Sequence, residues 1–206
     1  MLALPPLDPG VEMTVSSRGM SKGIEQADEP QVIPKLYVQV GDLQLGGQWK
    51  NVTSATADGE AAAFVNWGRK FGAFQLALGA AYKFQTGATA GTDSDSLEFT
   101  GGVTHKTGKL SLRLSAIYSP DDLGGTKRSL FVEGGPSFDV TKTLRFSAYV
   151  GRRTRHGAPD YTAANFGATK TLFRGFSLDL RYYQTNRAKI GDIYRRRLVL
   201  AGRWAF

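Results

Sequence analysis

The stretch that decides the fold is Leu198-Val-Leu-Ala-Gly-Arg-Trp-Ala-Phe206, the last nine residues of the chain. Leucine, glycine, tryptophan and phenylalanine occupy every second position, and alanine, valine and Arg203 lie between them. Alternation with a period of two predicts a strand with one apolar face and one face that tolerates charge. Bacterial outer-membrane barrels end in such a strand, whereas in a soluble sandwich it would be an exposed apolar edge. The stretch therefore favours a membrane barrel over a soluble sandwich.

The same alternation recurs along the chain in twelve runs of about ten residues. Short turns follow the even-numbered runs and longer polar loops follow the odd-numbered ones, a pattern typical of outer-membrane barrels. The sequence thus predicts an all-β, transmembrane up-and-down antiparallel barrel of twelve strands, or of ten if the pair at residues 61–84 is misassigned. The runs are residues 11–18, 32–40, 43–52, 61–71, 74–84, 97–105, 110–118, 129–138, 144–153, 161–172, 176–184 and 193–206.

The chain divides into a short leader and one domain. Residues 1–10 contain three prolines, which disfavour a regular element, so we expect a Pro-rich periplasmic leader there. Residues 11–206 form the predicted outer-membrane barrel. Because an even number of strands brings both ends of a barrel to the same side, we expect both termini to lie in the periplasm.

The composition fits a barrel better than a helical membrane protein. The 206 residues suffice for one domain, and no apolar run is long enough to form a transmembrane helix. A mean hydropathy of -0.25 is expected when only alternate residues meet lipid. The chain has no cysteine, which excludes disulfides and thiolate metal sites.

Charged residues concentrate on the predicted inward faces of the strands, where basic residues outnumber acidic ones. Nearly all of the net charge of +8 therefore maps to the predicted lumen. Two interpretations stay open and are compatible: the cations pair with carboxylates and brace a packed lumen, or they line a narrow pore that prefers anions. We expect Glu133 and Asp179 to pair with nearby arginines. The residues predicted to line the pore are Arg18, Lys35, Lys50, Lys83, Arg113, Glu133, Arg145, Asp179, Arg181, Arg197 and Arg203.

Several short motifs resemble one known family. Arg18-Gly-Met-Ser21 resembles the Arg-Gly-Ile-Ser motif of the TorF family of porin-like proteins of Gram-negative bacteria. The Tyr-Ser-Pro-Asp segment that ends at Asp121, the Asp179-Leu-Arg-Tyr-Tyr-Gln-Thr185 segment and the terminal Phe206 resemble further parts of that family. The resemblance implies an outer-membrane β-barrel and supplies no substrate. Met20 in place of isoleucine and the basic run at residues 195–197 depart from the family pattern.

Catalytic, metal-binding and nucleic-acid-binding patterns are weak. His105 and His156 lack a serine and a carboxylate at a suitable spacing, so we expect no enzyme activity and no cofactor. Asp121 and Asp122 are interpreted as solvated loop carboxylates rather than metal ligands. The basic cluster at residues 152–156 lacks interleaved aromatic residues, and at a barrel rim it would meet lipopolysaccharide phosphates rather than nucleic acid.

The sequence therefore predicts a bacterial outer-membrane channel for passive passage or binding of small anionic solutes. The alternative is a plugged structural barrel that docks in an envelope complex. Expected partners are outer-membrane lipid, lipopolysaccharide, the barrel-assembly machinery and, for the alternative, an envelope protein. Trp204 and Phe206 are the predicted assembly signal, because they face outward on the last strand.

Overall fold

A computed structural model of the protein describes residues 6–123 and 126–206. Within these ranges a single short 3-10 turn lies at Asp192–Tyr194, and no helix is long and apolar enough to cross a membrane. The strands are β1 (Leu7–Ser16), β2 (Gly19–Ser21), β3 (Ile24–Ala27), β4 (Gln31–Val40), β5 (Leu43–Asn51), β6 (Gly59–Phe71), β7 (Phe74–Thr86), β8 (Asp95–Thr107), β9 (Leu110–Ser119), β10 (Ser129–Asp139), β11 (Leu144–Arg155), β12 (Tyr161–Phe173), β13 (Phe176–Thr185) and β14 (Arg197–Ala205).

Twelve of these strands, β1 and β4 to β14, form one closed antiparallel barrel, which confirms the predicted fold. Each strand pairs with its neighbours in the chain, and β1 closes the ring by pairing with β14 on one side and β4 on the other. The amide of Phe206 adds a hydrogen bond to the carbonyl of Val11 at this seam, at 2.9 Å. Closure leaves no barrel strand with an unpaired edge.

The two ends of the barrel differ in the length of their connections. Turns of two to four residues, at 41–42, 72–73, 108–109, 140–143 and 174–175, lie at one end, here named the short-turn end. Gly41 and Gly72 both have a φ of +59°, a left-handed conformation that tight turns need and glycine tolerates. The other end, the long-loop end, carries all the longer connections. The predicted alternation of turns and loops is therefore confirmed.

The outer surface of the barrel is apolar. On β14, Leu198, Leu200 and Trp204 are exposed on the outside, whereas Val199 is buried inside, as the period of two predicts. At the short-turn end Trp204 contacts Phe176 and Phe206, with ring centroids 5.1 and 5.9 Å apart. Such an aromatic group next to an apolar band is typical of a membrane interface.

Two regions differ from the sequence prediction. β1 begins at Leu7, so residues 7–10 of the predicted leader pair with β4, and Pro9 lies opposite Val38 inside the barrel wall. The first long loop, expected to be irregular, contains the strands β2 and β3, which pair only with each other. We name this unit, residues 19–27, the inner hairpin, and its position decides the shape of the lumen.

Candidate functional site in the barrel lumen

The inner hairpin lies across the lumen at the long-loop end. Near its tip, Lys22 Nζ contacts the carboxylate of Glu98, which projects inward from β8. From its second strand, Glu25 accepts hydrogen bonds from Arg197 of β14 at 2.6 and 2.8 Å. In the ring of twelve strands, β8 and β14 are six positions apart and therefore lie on opposite walls. The hairpin thus spans the full width of the barrel.

The hairpin tip has an unusual backbone. Lys22 and Gly23 form the turn, with φ of +50° and +80°. Two-residue hairpin turns with positive φ at both positions favour Asn-Gly or Gly-Gly. A residue with a β-carbon in the left-handed region costs about 1–2 kcal/mol, so turn preference does not explain a lysine here. The ion pairs of the Lys22 side chain with Glu98 and Asp122 explain the lysine at this position.

Lys22 joins a network of buried charges along one wall. Glu98 also pairs with Lys83 of β7 at 2.6 Å, and Lys83 lies 3.6 Å from Glu60 of β6. Lys50 of β5 pairs with Glu60 at 3.2 Å and donates to Gln26 Oε1 of the hairpin at 2.6 Å. Alternating signs satisfy these charges in a site from which water is largely excluded.

The loop that follows β9 contributes a third acidic group to the network. Asp122 is buried; it pairs with Arg153 of β11, accepts a hydrogen bond from Ser129 at 2.7 Å and lies 3.5 Å from Lys22. Burial by itself raises the pKa of Asp122, but Lys22, Ser129 and Arg153 together lower it to about 2. The interpretation of Asp122 as a solvated loop residue is therefore wrong: the fold carries this loop residue into the lumen, where the cations are.

The opposite side of the hairpin is held by arginines and a small apolar cluster. Arg18 approaches Glu25 at 2.7 Å, and Arg197 also pairs with Asp192 at 2.6 Å. Burial raises the pKa of Glu25, but the hydrogen bonds from Arg197 and Arg18 outweigh this and lower it. The apolar cluster contains Ile24, Tyr161, Ala163 and Tyr194, all buried.

Tyr161 and Tyr194 connect the apolar cluster to the barrel wall. The Tyr161 hydroxyl donates to the Lys22 carbonyl at 2.7 Å, and its ring packs edge-on against Tyr194. Tyr194 lies in the last predicted run, residues 193–206, but it is not part of a barrel strand, since β14 begins at Arg197. It is buried, because the 3-10 turn that precedes β14 folds over the hairpin.

Between the hairpin and the short-turn end the lumen is open. A cavity of about 440 Å³ lies against residues 20–23 of the hairpin, and one of about 600 Å³ lies beside the short turn at 72–73. A third, of about 390 Å³, runs along the small residues Ala77, Thr100 and Gly102 of β7 and β8. Arg113 lines all three cavities. Its side chain therefore borders each of the three cavities.

Arg113 differs from the arginines around it in its partners. Its guanidinium lies 5.7 Å from the centre of the Tyr149 ring and 3.3 Å from Ser115 Oγ. Within the residues that the structure describes, no carboxylate lies within 4.0 Å of it. Arg145 and Arg181 line the hairpin cavity as well, but each is paired with an aspartate. The charge of Arg113 is thus the one left for a solute among these three arginines.

The other sequence-predicted site residues occupy distinct surroundings. Arg181 binds Asp179 through two hydrogen bonds of 3.0 and 3.1 Å, as expected. Glu133 differs from expectation, since it accepts from Asn165 at 3.2 Å and has no arginine within ion-pair distance in the described ranges. The remaining contacts are Arg145 with Asp139 at 2.6 Å, Arg203 with Glu12, and Lys35 with Gln44 at 3.1 Å.

The structure brings these residues together in two groups. Arg18, Lys50, Lys83 and Arg197 contact the inner hairpin or the wall charges that hold it. Arg113, Glu133, Arg145 and Arg181 surround the cavity on the other side of the hairpin, whereas Lys35 and Arg203 lie near the seam. A conducting role for either group stays a prediction.

Sequence reasoning missed Lys22, Glu25, Glu60 and Asp122. All four were assigned to loops, and loops were read as solvent-exposed. The flanking strands, of three and four residues, are too short to show a clear alternation. Lys22-Gly23 is not a preferred hairpin turn, so the sequence offers only the glycine as a turn signal.

Comparisons with known proteins place the fold among outer-membrane channels. The KdgM porin aligns with 96% of this chain and 99% of its own length, with a TM-score of 0.64 and 9% identity. The NanC porin covers 95% of this chain and 97% of its own length, with a TM-score of 0.62 and 10% identity. The COG4313 outer membrane channel from Pseudomonas putida F1 covers 100% and 96%, with a TM-score of 0.56 and 11% identity. At such identities the similarity establishes the barrel fold.

No protein-family model and no curated protein matches the chain. The resemblance to the TorF family therefore stays a hypothesis that rests on short motifs.

Proposed function

We propose that the protein is a bacterial outer-membrane channel through which small solutes pass passively, with a preference for anions. The observation that carries this proposal is Arg113, which borders three lumen cavities and has no carboxylate partner among residues 6–123 and 126–206. The apolar outer surface with its aromatic group at the short-turn end supports a membrane position.

A fixed cation in a narrow lumen favours anions for electrostatic reasons. An opposite charge about 4 Å from a guanidinium gains a few kcal/mol at an effective dielectric constant near 20. A cation at the same place meets a barrier of similar size. Arg145 and Arg181 contribute less, because Asp139 and Asp179 cancel much of their field. Selectivity of this kind is common to basic pores.

One structural relative supports an anionic solute. The KdgM porin has been solved in complex with disordered oligogalacturonate, whose sugar units carry carboxylates. The present lumen offers Arg113 together with Tyr149 and Tyr183, that is, a cation beside aromatic rings. Such a surface suits a carboxylate- or phosphate-bearing small molecule. The identity of the solute is a separate question from its charge.

Planar-bilayer recording tests the proposal directly. The purified protein is inserted into a neutral bilayer under a KCl gradient, and the reversal potential is measured. We expect discrete current steps and a reversal potential displaced toward the chloride equilibrium potential. Steps with a displacement toward the potassium equilibrium potential would refute anion preference.

The inner hairpin favours a second candidate, the plugged structural barrel that docks in an envelope complex. The hairpin spans the lumen and is held from both walls by ion pairs. In this alternative the arginines brace the barrel and nothing passes. Complete electrical silence of correctly folded protein would favour it.

Orientation and partners follow from the same proposal. The short turns and both termini would face the periplasm, and the long loops would face outward. Arg128 and His156, which line a surface cavity at the long-loop end, would meet lipopolysaccharide phosphates. Trp204 and Phe206 would be read by the barrel-assembly machinery. Neither an enzyme activity nor a cofactor forms part of the proposal.

A further inference from the structure

We propose that the inner hairpin is a displaceable gate, which closes the lumen at the long-loop end and leaves it as a unit. This inference rests on the proposed channel function and adds how that channel opens. The three observations behind it concern the independence of the barrel, the kind of contacts that hold the hairpin, and the partners that remain when it leaves.

The barrel does not need the hairpin for its own strand pairing. β2 and β3 pair only with each other, as a separate two-stranded sheet. The ring closes through the pairs of β1 with β4 and of β1 with β14. Displacement of residues 19–27 therefore breaks no ladder hydrogen bond of the barrel.

Charged and polar contacts hold the hairpin, with a small apolar contribution. Lys22 binds Glu98, Glu25 binds Arg197, and Gln26 accepts from Lys50. Ile24 is the large aliphatic side chain of the hairpin that is buried in the apolar cluster. The attraction within a buried ion pair does little more than offset the cost of removing both charges from water. These contacts therefore define the position of the hairpin but hold it only weakly.

The wall residues keep a partner when the hairpin is out. Glu98 retains Lys83, and Asp122 retains both Arg153 and Ser129. On the same side Lys50 retains Glu60, and on the opposite wall Arg197 retains Asp192. Removing one member of an isolated buried pair leaves an unpaired charge at high cost, but these four wall charges each have a second partner. The open state is therefore accessible, and Lys22 and Glu25 regain water when they leave the lumen.

Charge reversal at Glu25 tests the gate. In Glu25→Arg a third cation faces Arg18 and Arg197, which repels the hairpin from its wall. The matched control is Glu29→Arg, the same charge change four residues further along the same loop, at an exposed position. We expect Glu25→Arg to raise the single-channel conductance roughly two- to threefold and Glu29→Arg to leave it at the wild-type value.

Chemical labelling provides a second readout that does not depend on conduction. The Lys22 side chain is 5% exposed in the closed arrangement, so its amine is protected. A membrane-impermeant acylating reagent, followed by mass spectrometry of peptides, measures this protection. We expect Lys22 to react faster in Glu25→Arg than in the wild type and in Glu29→Arg.

The outcomes separate the gate from the channel. If the wild type conducts and Glu25→Arg matches it in both conductance and Lys22 labelling, the gate is refuted and the channel stands. If Lys22 becomes reactive but neither protein conducts, the channel is refuted and the gate with it. Heat-dependent gel migration checks that each variant is a folded barrel. If Glu25→Arg does not fold, Lys22→Gln replaces it, with a smaller conductance increase expected and an unchanged conductance refuting the gate.

Discussion

The two ends of the lumen contain the same kinds of charged residue but use them differently. At the long-loop end, Arg153 and Asp122 are each 7% exposed in their side chains and belong to a continuous network that includes the inner hairpin. Towards the short-turn end, Arg145 pairs with Asp139 while half of its side chain remains exposed, and Arg113 has no carboxylate partner in the described part of the chain. The difference teaches that burial and partners, rather than residue type, decide whether a lumen cation is structural or available to a solute.

The physical reason lies in solvation. A charge shielded from water loses its hydration, so it persists only where opposite charges replace that hydration. Charges that still face a wet cavity are screened, and a pair there contributes little to stability. The same exposure lets their field act on a passing ion. We therefore expect substitutions at the long-loop end to change stability, and substitutions towards the short-turn end to change the proposed selectivity.

The largest expected effect comes from the seam at the short-turn end. Deletion of Phe206 removes an outward aromatic ring and the amide that donates to Val11. We expect roughly a tenfold loss of membrane-inserted barrel at unchanged synthesis, because the last strand is then held less firmly at the seam. Quantitative blotting of membrane fractions measures it. Phe206→Ala keeps the amide, so an equal loss in that variant would assign the effect to the ring, and normal insertion of both would contradict the assembly role.

The second largest effect is expected on the free energy of unfolding, which should fall more for a substitution at the long-loop end than for one towards the short-turn end. Arg153→Met leaves Asp122 with a reduced set of partners in a buried site, and we expect a loss of about 3 kcal/mol in the free energy of unfolding. Arg145→Met breaks an exposed pair with Asp139 and should cost at most about 1 kcal/mol. Denaturant titration of both variants in lipid vesicles measures the difference. Equal losses would mean that the two ends do not differ in the way described.

The third effect concerns anion preference, for which we expect the arginine without a described carboxylate partner to matter more than the paired one. Arg113→Gln removes a cation without a carboxylate partner, whereas Arg181→Gln removes one that Asp179 already neutralises in part. We expect the anion-to-cation permeability ratio to fall a few-fold in Arg113→Gln and by less in Arg181→Gln. Reversal potentials in a KCl gradient give both ratios. A larger fall in Arg181→Gln would show that ion pairing does not govern selectivity here.

The smallest expected effect is the change of conductance with pH that follows from the docking of the hairpin. In the docked state Lys22, Ser129 and Arg153 lower the pKa of Asp122 to about 2, and the part due to Lys22 is lost when the hairpin leaves. The contribution of Asp122 to docking is therefore complete above its ordinary value near 4. It is lost only as the pH falls from about 4 to about 2. We expect constant conductance between pH 7 and pH 4 and a rise below pH 4. A rise already at pH 5 to 6 would contradict the role of Asp122, and Asp122→Asn should lack the step.

Much of the architecture could be predicted from the sequence. The period-two alternation in residues 198–206 predicts the last strand and its outward face, which Leu200 and Val199 confirm. The alternation of turn and loop lengths predicts the up-and-down order, because adjacent antiparallel strands need only short links. The period also places Arg145 and Arg181 on an inward face, and both line the hairpin cavity.

Partner choice could not be predicted in the same way. Alternation tells which face a residue occupies, but not which residue from another strand or loop lies opposite it. Arg181 and Asp179 are neighbours on one strand, so their pairing was foreseeable. Glu133 was expected to bind an arginine and binds Asn165 instead, because its place among the strands puts an amide nearest to it.

The sequence alone determined the barrel and the inward and outward faces of its strands, because these depend on local periodicity, and it favoured twelve strands over ten. Only the tertiary structure decided that a loop returns into the lumen and which cations it neutralises. Glu25 and Arg197 are 172 residues apart in the chain and meet because the ring closes between β1 and β14. Such contacts arise from closure, and no local pattern of residues encodes where two distant charges will meet inside the closed ring.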